Sequence, residues 1–279
     1  MKGLVVNPLV LTHDRLLRIQ RAETEVLVSR VSNLRIIPGN PLGARVRRFG
    51  DATAVMLTSA QRPLPNRVLE LRAEDVGEID NILGWYAAHD APVEFEIVPF
   101  SESGLVQRRL AQVGFGQGVL QSVTAGMPLR SRLPAVVART GALIDVREVE
   151  AGPYAHAMFA VQFGHDAPLD AEWLAIRRAE FLGWRRYVAY VDELPVAYGA
   201  LFVTGDIAVC GAAMTAREYR QIGCQRALLQ RRLMDAAEMG CEMVISGAVP
   251  GTTSERNQAR MGLTLVYHKA IWMRMPGSV

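Results

Sequence analysis

Apolar residues recur at helical intervals along residues 14–30, where Leu16, Leu17, Ile19, Ala22, Val26 and Leu27 share a face, and the spacing predicts an amphipathic helix. Residues 33–43 carry Pro38, Gly39, Asn40 and Pro41 and read as turn. Residues 44–49 and 52–59, joined at Gly50-Asp51, read as short strands. A strand at 66–71 and a helix at 76–88 follow. PVEFEIVP at 92–99 alternates apolar and acidic positions, the pattern of a half-buried strand. A helix at 104–113 and a strand at 115–123 complete the first half.

Residues 126–134 break the pattern with two prolines and two arginines, and the boundary between domains 1–130 and 131–279 is expected there. Beyond it the chain reads as a strand at 143–149, helices at 153–162 and 171–181, and a hairpin of 187–192 with 196–204. A strand at 207–215 leads into a long helix that opens at Arg220 or Gln221 and runs to Met239, with Gly240 in the C-terminal capping place. A strand at 241–247, a short helix at 254–261 and one or two strands within 263–275 close the series. The halves rhyme: in both, a strand, a helix and an exit glycine (Gly114, Gly262) precede a return strand, which points to a duplicated α/β unit.

With 279 residues, half of them hydrophobic, the chain can bury two cores of ordinary size. A net charge of +3 does not mark a nucleic-acid binder and would not repel an acidic cofactor. Cys210, Cys224 and Cys241 lack CxxC spacing and read as buried thiols of a reducing compartment. The opening residues carry no leader pattern and no run suits a membrane span, so a cytoplasmic protein without a membrane partner is expected. The five histidines are scattered without HExxH spacing, and no metal site is expected.

The chemistry concentrates in MTAREYRQIGCQRALL, residues 214–229. A helix start leaves four N–H groups without intrahelical partners. Arg217, Arg220, Arg226, Arg231 and Arg232 surround this one against Glu218, opposing the helix dipole unless an anion lies at the mouth. Gly223 would let a ligand approach the backbone. A solvated arginine face, with a glycine chosen for packing, accounts for the same residues. GxGxxG, GKS or GKT, and GxSxG are absent, and the segment upstream is strand-like, which disfavours a helix-turn-helix.

Arg220-Gln221-Ile222-Gly223-Cys224-Gln225, set between AAMTAREY and RALLQRRL and followed by GAVPGTTSERNQARMGL, resembles the Arg/Gln-x-x-Gly-x-Gly/Ala signature of the GCN5-related N-acetyltransferase superfamily. Gln225 departs from the usual small residue. The resemblance covers about residues 140–279. The first half resembles the same fold only faintly: it lacks the signature, and Glu74, Asp75, Glu78 and Asp80 would repel a pyrophosphate, so it reads as a degenerate copy.

This resemblance implies an acyl-CoA N-acyltransferase fold, an α/β class with a mixed, mostly antiparallel sheet, a splayed parallel strand pair, and two such domains in tandem. It implies acetyl-CoA as acyl donor between strands 207–215 and 241–247. Main-chain groups of Ala213, Met214 and Thr215 would hold the pantetheine arm, which Asn257 could also reach. Arg220 and the amides of Gln221, Ile222, Gly223, Cys224, Gln225 and Arg226 would meet the pyrophosphate. A primary amine of a small molecule or protein would attack the thioester directly, with a main-chain N–H near Met214 polarising the carbonyl. The position that often holds a tyrosine acid is Gln258, so no catalytic residue is assigned. Asp206, Glu180 and Asp145 are candidate bases that equally suit solvated or capping roles, and Thr252 with Glu255 forms a capping box. An acyl-CoA-binding module with little turnover and a ligand-free interaction protein are the alternatives.

Overall fold

The computed structural model describes residues 10–100, 103–131, 133–138 and 141–275; the first nine residues, where a leader was sought, lie outside them. The chain forms two compact units. The N-terminal unit joins His13–Val123 to the chain from Tyr267 onward, and the C-terminal unit contains residues 124–266. Both boundaries fall inside strands.

The N-terminal unit holds α1 (His13–Arg35), β1 (Arg45–Phe49), β2 (Ala52–Met56), β3 (Arg67–Leu69), a 3-10 turn at Ala73–Glu78, α2 (Ile79–Ala87), β4 (Glu94–Ile97), α3 (Ser103–Gln112) and most of β5 (Phe115–Gly126). The C-terminal unit holds β6 (Asp145–Glu148), α4 (Ala151–Phe163), α5 (Ala171–Glu180), β7 (Arg185–Val191), β8 (Leu194–Thr204), β9 (Ile207–Thr215), α6 (Cys224–Glu238), β10 (Met243–Ala248) and α7 (Thr253–Arg260). The last strand, β11 (Thr264–Arg274), begins in the C-terminal unit and ends in the N-terminal one. It is a single strand. The sheet is mostly antiparallel, with β3–β4 and β9–β10 as parallel pairs.

In the N-terminal unit, β1, β2, β3, β4 and the end of β11 lie side by side. Phe49, Met56, Tyr86, Phe95, Phe115 and Trp272 are among the residues of its core. Helix α1 continues five residues past the predicted end, because Val31 and Leu34, both fully buried, prolong its apolar stripe. Strand β3 ends early, since Glu70 adopts a left-handed φ of 58°. Buried charges cross-link this unit. Lys269 Nζ lies 2.8 Å from Glu23 Oε1 and 3.0 Å from Glu96 Oε2, Tyr267 donates to Glu23 at 2.7 Å, and Arg67 bridges Glu94 and Glu96.

In the C-terminal unit the strand order is β10-β9-β8-β7-β6. Alternation along β8 sends Gly199 toward α6 and Tyr198 toward α4. A Cβ on Gly199 would meet the Arg232 guanidinium at 3.1 Å, whereas Tyr198 packs edge-on against Tyr154. From the α6 side, Asp235 accepts a 2.7 Å hydrogen bond from Tyr187.

Candidate functional site

The parallel pair β9–β10 separates after four residues. Met243 pairs with Ile207, Val244 with Ala208, Ile245 with Val209 and Ser246 with Cys210, where the register ends. Beyond that point β9 remains paired with β8 on its other side, Met214 opposite Tyr198 and Thr215 opposite Ala197. The edge of residues 211–215 that faces away from β8 is therefore open to a ligand that can pair with a strand. A β-bulge interrupts the β8–β9 register between Tyr198 and Ala200, and Ala212 takes a φ of 46°.

Arg232 sustains this bulge. It is 3 % exposed, and Nη1 donates to the carbonyls of Ala200 (3.2 Å) and Gly211 (3.3 Å), which oppose each other where the register shifts. Its positive charge is thus spent on buried carbonyls. Arg231 donates to Asp235 at 2.8 Å and to the Val146 carbonyl at 3.1 Å. Neither serves the helix mouth as the sequence suggested: they lie seven and eight residues along α6, roughly 10–12 Å from its start. Exposed Arg217, Arg220 and Arg226 remain near it, with Arg220 Nε 3.4 Å from the Thr215 carbonyl.

The helix begins at Cys224, not at Arg220 or Gln221. Gln221 has a φ of 66° and Gly223 one of 113°, so neither continues a right-handed helix. The first helical hydrogen bond runs from Ala227 N–H to Gly223 O at 3.0 Å, which leaves the amides of Cys224, Gln225 and Arg226 as the opening donors. No side chain caps them from Gly223. The glycine itself serves the fold. A Cβ there would stand 3.0 Å from Val136 and 3.4 Å from Ile144, so its missing side chain faces the core rather than a ligand.

In the N-terminal unit, Asp75 in the 3-10 turn accepts from the amides of Arg72 (3.2 Å) and Asp51 (3.0 Å), so this acidic residue ties the start of the turn to the β1–β2 loop.

Gln258 fills the position discussed for a tyrosine, and it is a structural residue. Its Nε2 donates to Ser246 Oγ and to the Gly247 carbonyl, both at 3.0 Å, while Thr124 Oγ1 lies 2.8 Å from its Oε1. Ser246 Oγ donates in turn to the Cys210 carbonyl at 3.2 Å. These bonds fasten the apex where β9 and β10 part. Thr252 caps α7 through the Glu255 amide, and Glu255 accepts from Gly251 N–H at 2.7 Å.

Of the carboxylates singled out in the sequence, Asp206 and Asp145 lie away from the bulge. Asp206 precedes β9, six residues before Ala212, or about 20 Å along a strand. Asp145 lies on β6, three strand spacings or about 14 Å from β9, and pairs with Arg147 at 2.6 Å. Glu180 is fully buried in an ion pair with Arg177 at 2.6 Å. Two tyrosines that carried no sequence signal do reach the bulge. Tyr154 donates to the Ala212 carbonyl at 3.4 Å and Tyr198 to Met214 Sδ at 3.7 Å. All three cysteines are buried, and burial raises their thiols, that of Cys224 to about 11, so none is primed as a nucleophile. Among the described residues no metal-ligand cluster occurs, and no helix is long and apolar enough to cross a membrane.

No protein-family model and no curated protein matches the sequence. Solved structures do match its fold. A GCN5-related N-acetyltransferase from Kribbella flavida is 17 % identical with a TM-score of 0.65, covering 93 % of this chain and 95 % of its own. A tandem GNAT protein from the clavulanic acid biosynthesis pathway is 13 % identical with a TM-score of 0.60, covering 91 % and 97 %. A GCN5-related N-acetyltransferase from Sphaerobacter thermophilus is 22 % identical with a TM-score of 0.55, covering 81 % and 78 %. The chain thus has the fold of the GCN5-related N-acetyltransferases.

Proposed function

We propose that the chain is an N-acetyltransferase that moves an acetyl group from acetyl-CoA to a primary amine of a small molecule or a protein. The observation that carries this reading is the open edge of β9 after Cys210, which leads to the uncapped first turn of α6. Acetyl-CoA supplies an activated thioester when bound. Main-chain groups of Ala213, Met214 and Thr215 offer strand-type hydrogen bonds to an amide-bearing arm. The amides of Cys224, Gln225 and Arg226, with the exposed guanidiniums of Arg217, Arg220 and Arg226, offer donors and positive charge to a diphosphate. A backbone N–H beside the bulge can polarise an acyl carbonyl. The fold likeness supports the reading.

A second reading, an acyl-CoA-binding module with little turnover, is favoured by the commitment of Gln258 to the strand apex and by the remoteness of Asp206 and Asp145. Isothermal titration with acetyl-CoA tests what the two readings share, and saturable, salt-weakened binding is expected. No heat at millimolar ligand overturns both and leaves the ligand-free interaction protein. Thiol release over a panel of amines separates them: turnover with any amine supports the enzyme, and binding without turnover supports the module.

A further inference from the structure

We infer that Gln225 sets the affinity of this seat by clasping α6 to α7 across the wide end of the cleft, an inference that rests on the acetyl-CoA reading. Gln225 is the second residue of α6, and its half-buried side chain is spent on α7. Nε2 donates to Ser254 Oγ at 2.8 Å, and Oε1 accepts from Asn257 Nδ2 at 3.1 Å. Asn257 has its other amide atom engaged as well, since Oδ1 accepts from Arg260 Nη1 at 3.3 Å. The side chain expected to reach the pantetheine arm therefore has both ends of its amide bonded within the protein.

The location gives the clasp its consequence. Strand β9 feeds α6 and β10 feeds α7, and the strands are pinned at Cys210 and Ser246 by the Gln258 bonds. A ligand that lies along residues 211–215 and ends at the first turn of α6 enters from the opposite, wide end, where Gln225 joins the two helices. Binding such a ligand then requires exchanging the bonds to Ser254 and Asn257 for bonds to the ligand. A smaller residue at 225 leaves the opening amides in place, removes the bridge and frees Asn257.

The test is isothermal titration of the full chain with acetyl-CoA, comparing wild type, Gln225→Ala and Ser254→Ala, with circular dichroism confirming the fold. Two neutral hydrogen bonds no longer need to be displaced in Gln225→Ala, and binding is expected to tighten about tenfold. Ser254→Ala leaves α6 untouched, breaks one of the bonds and is expected to tighten binding by a smaller factor. If wild type binds and neither variant binds more tightly, the clasp is refuted while the cofactor reading stands. Absence of binding in all three refutes both. Binding confined to the variants supports both.

Discussion

Lys269 lies 2.8 Å from Glu23 and 3.0 Å from Glu96, two buried carboxylates, and replacing it with methionine tests the energetics of the N-terminal unit directly. Methionine fills a similar volume but leaves Glu23 with the Tyr267 hydroxyl and Glu96 with Arg67 at 3.5 Å. Removing one partner of a buried ion pair costs about 3–5 kcal/mol, because the remaining charge is left desolvated. That range is the expected loss at pH 7.5.

The pH dependence provides the sharper check. Burial raises the Glu23 carboxyl above its ordinary 4.5 even with Lys269 present, and the lysine acts to lower it. Without the lysine the rise is larger. The folded variant then binds a proton at pH values where the unfolded chain has released it. The destabilisation from a charged Glu23 therefore grows as pH rises above 4.5 and fades as pH falls back toward it, by about 1.4 kcal/mol per unit while this group alone titrates. Urea unfolding of wild type and Lys269→Met at pH 7.5 and 5.5, followed by circular dichroism, measures both quantities. The double variant with Glu23→Gln should recover part of the loss at pH 7.5 and little at pH 5.5. A loss below about 1 kcal/mol, or one identical at the two pH values, refutes the argument that desolvated charge governs this cluster.

Two further outcomes follow from the other unit. Gly223→Ala imposes a Cβ on a φ of 113° and pushes it against Val136 at 3.0 Å, so a loss of about 2–4 kcal/mol in urea unfolding is expected, and unchanged stability would contradict the packing role. Gln258→Tyr installs the tyrosine that the sequence resemblance implies at this position but breaks the bonds to Ser246, Gly247 and Thr124, and it should lose about 2–4 kcal/mol without gaining turnover; a stable variant with raised thiol release would show that the apex does not need the amide.

The elements were legible where local pattern decides them. The pattern of PVEFEIVP located β4 and helical spacing located α1 and α6, but β4 is not half-buried: Glu96 on its acidic face is buried beside Lys269 and Arg67. Features that depend on distant partners were not. Ala212 takes a left-handed φ where a glycine would have been a signal, and the register shift is sustained by Arg232, 20 residues away. Gly223 was recognisable as special, yet its reason lies in Val136 and Ile144, far back in the chain. Arg231 and Arg232 were grouped with the mouth by sequence proximity, although two helical turns separate them from it. Gln225 stood out as a departure, but its bonds reach residues 29 and 32 positions away, beyond any local pattern.

The placement of Tyr267 and the residues after it in the N-terminal unit has a consequence for synthesis. When Val123 has emerged from the ribosome, β4 still lacks the neighbour that Ala270, Ile271 and Trp272 will provide, and Glu23 and Glu96 await their lysine. Translation of the intervening segment takes roughly 7–30 s at ordinary elongation speeds. For that interval the nascent first half carries an unpaired sheet edge, the kind of surface that chaperones cover and that invites pairing between neighbouring nascent chains.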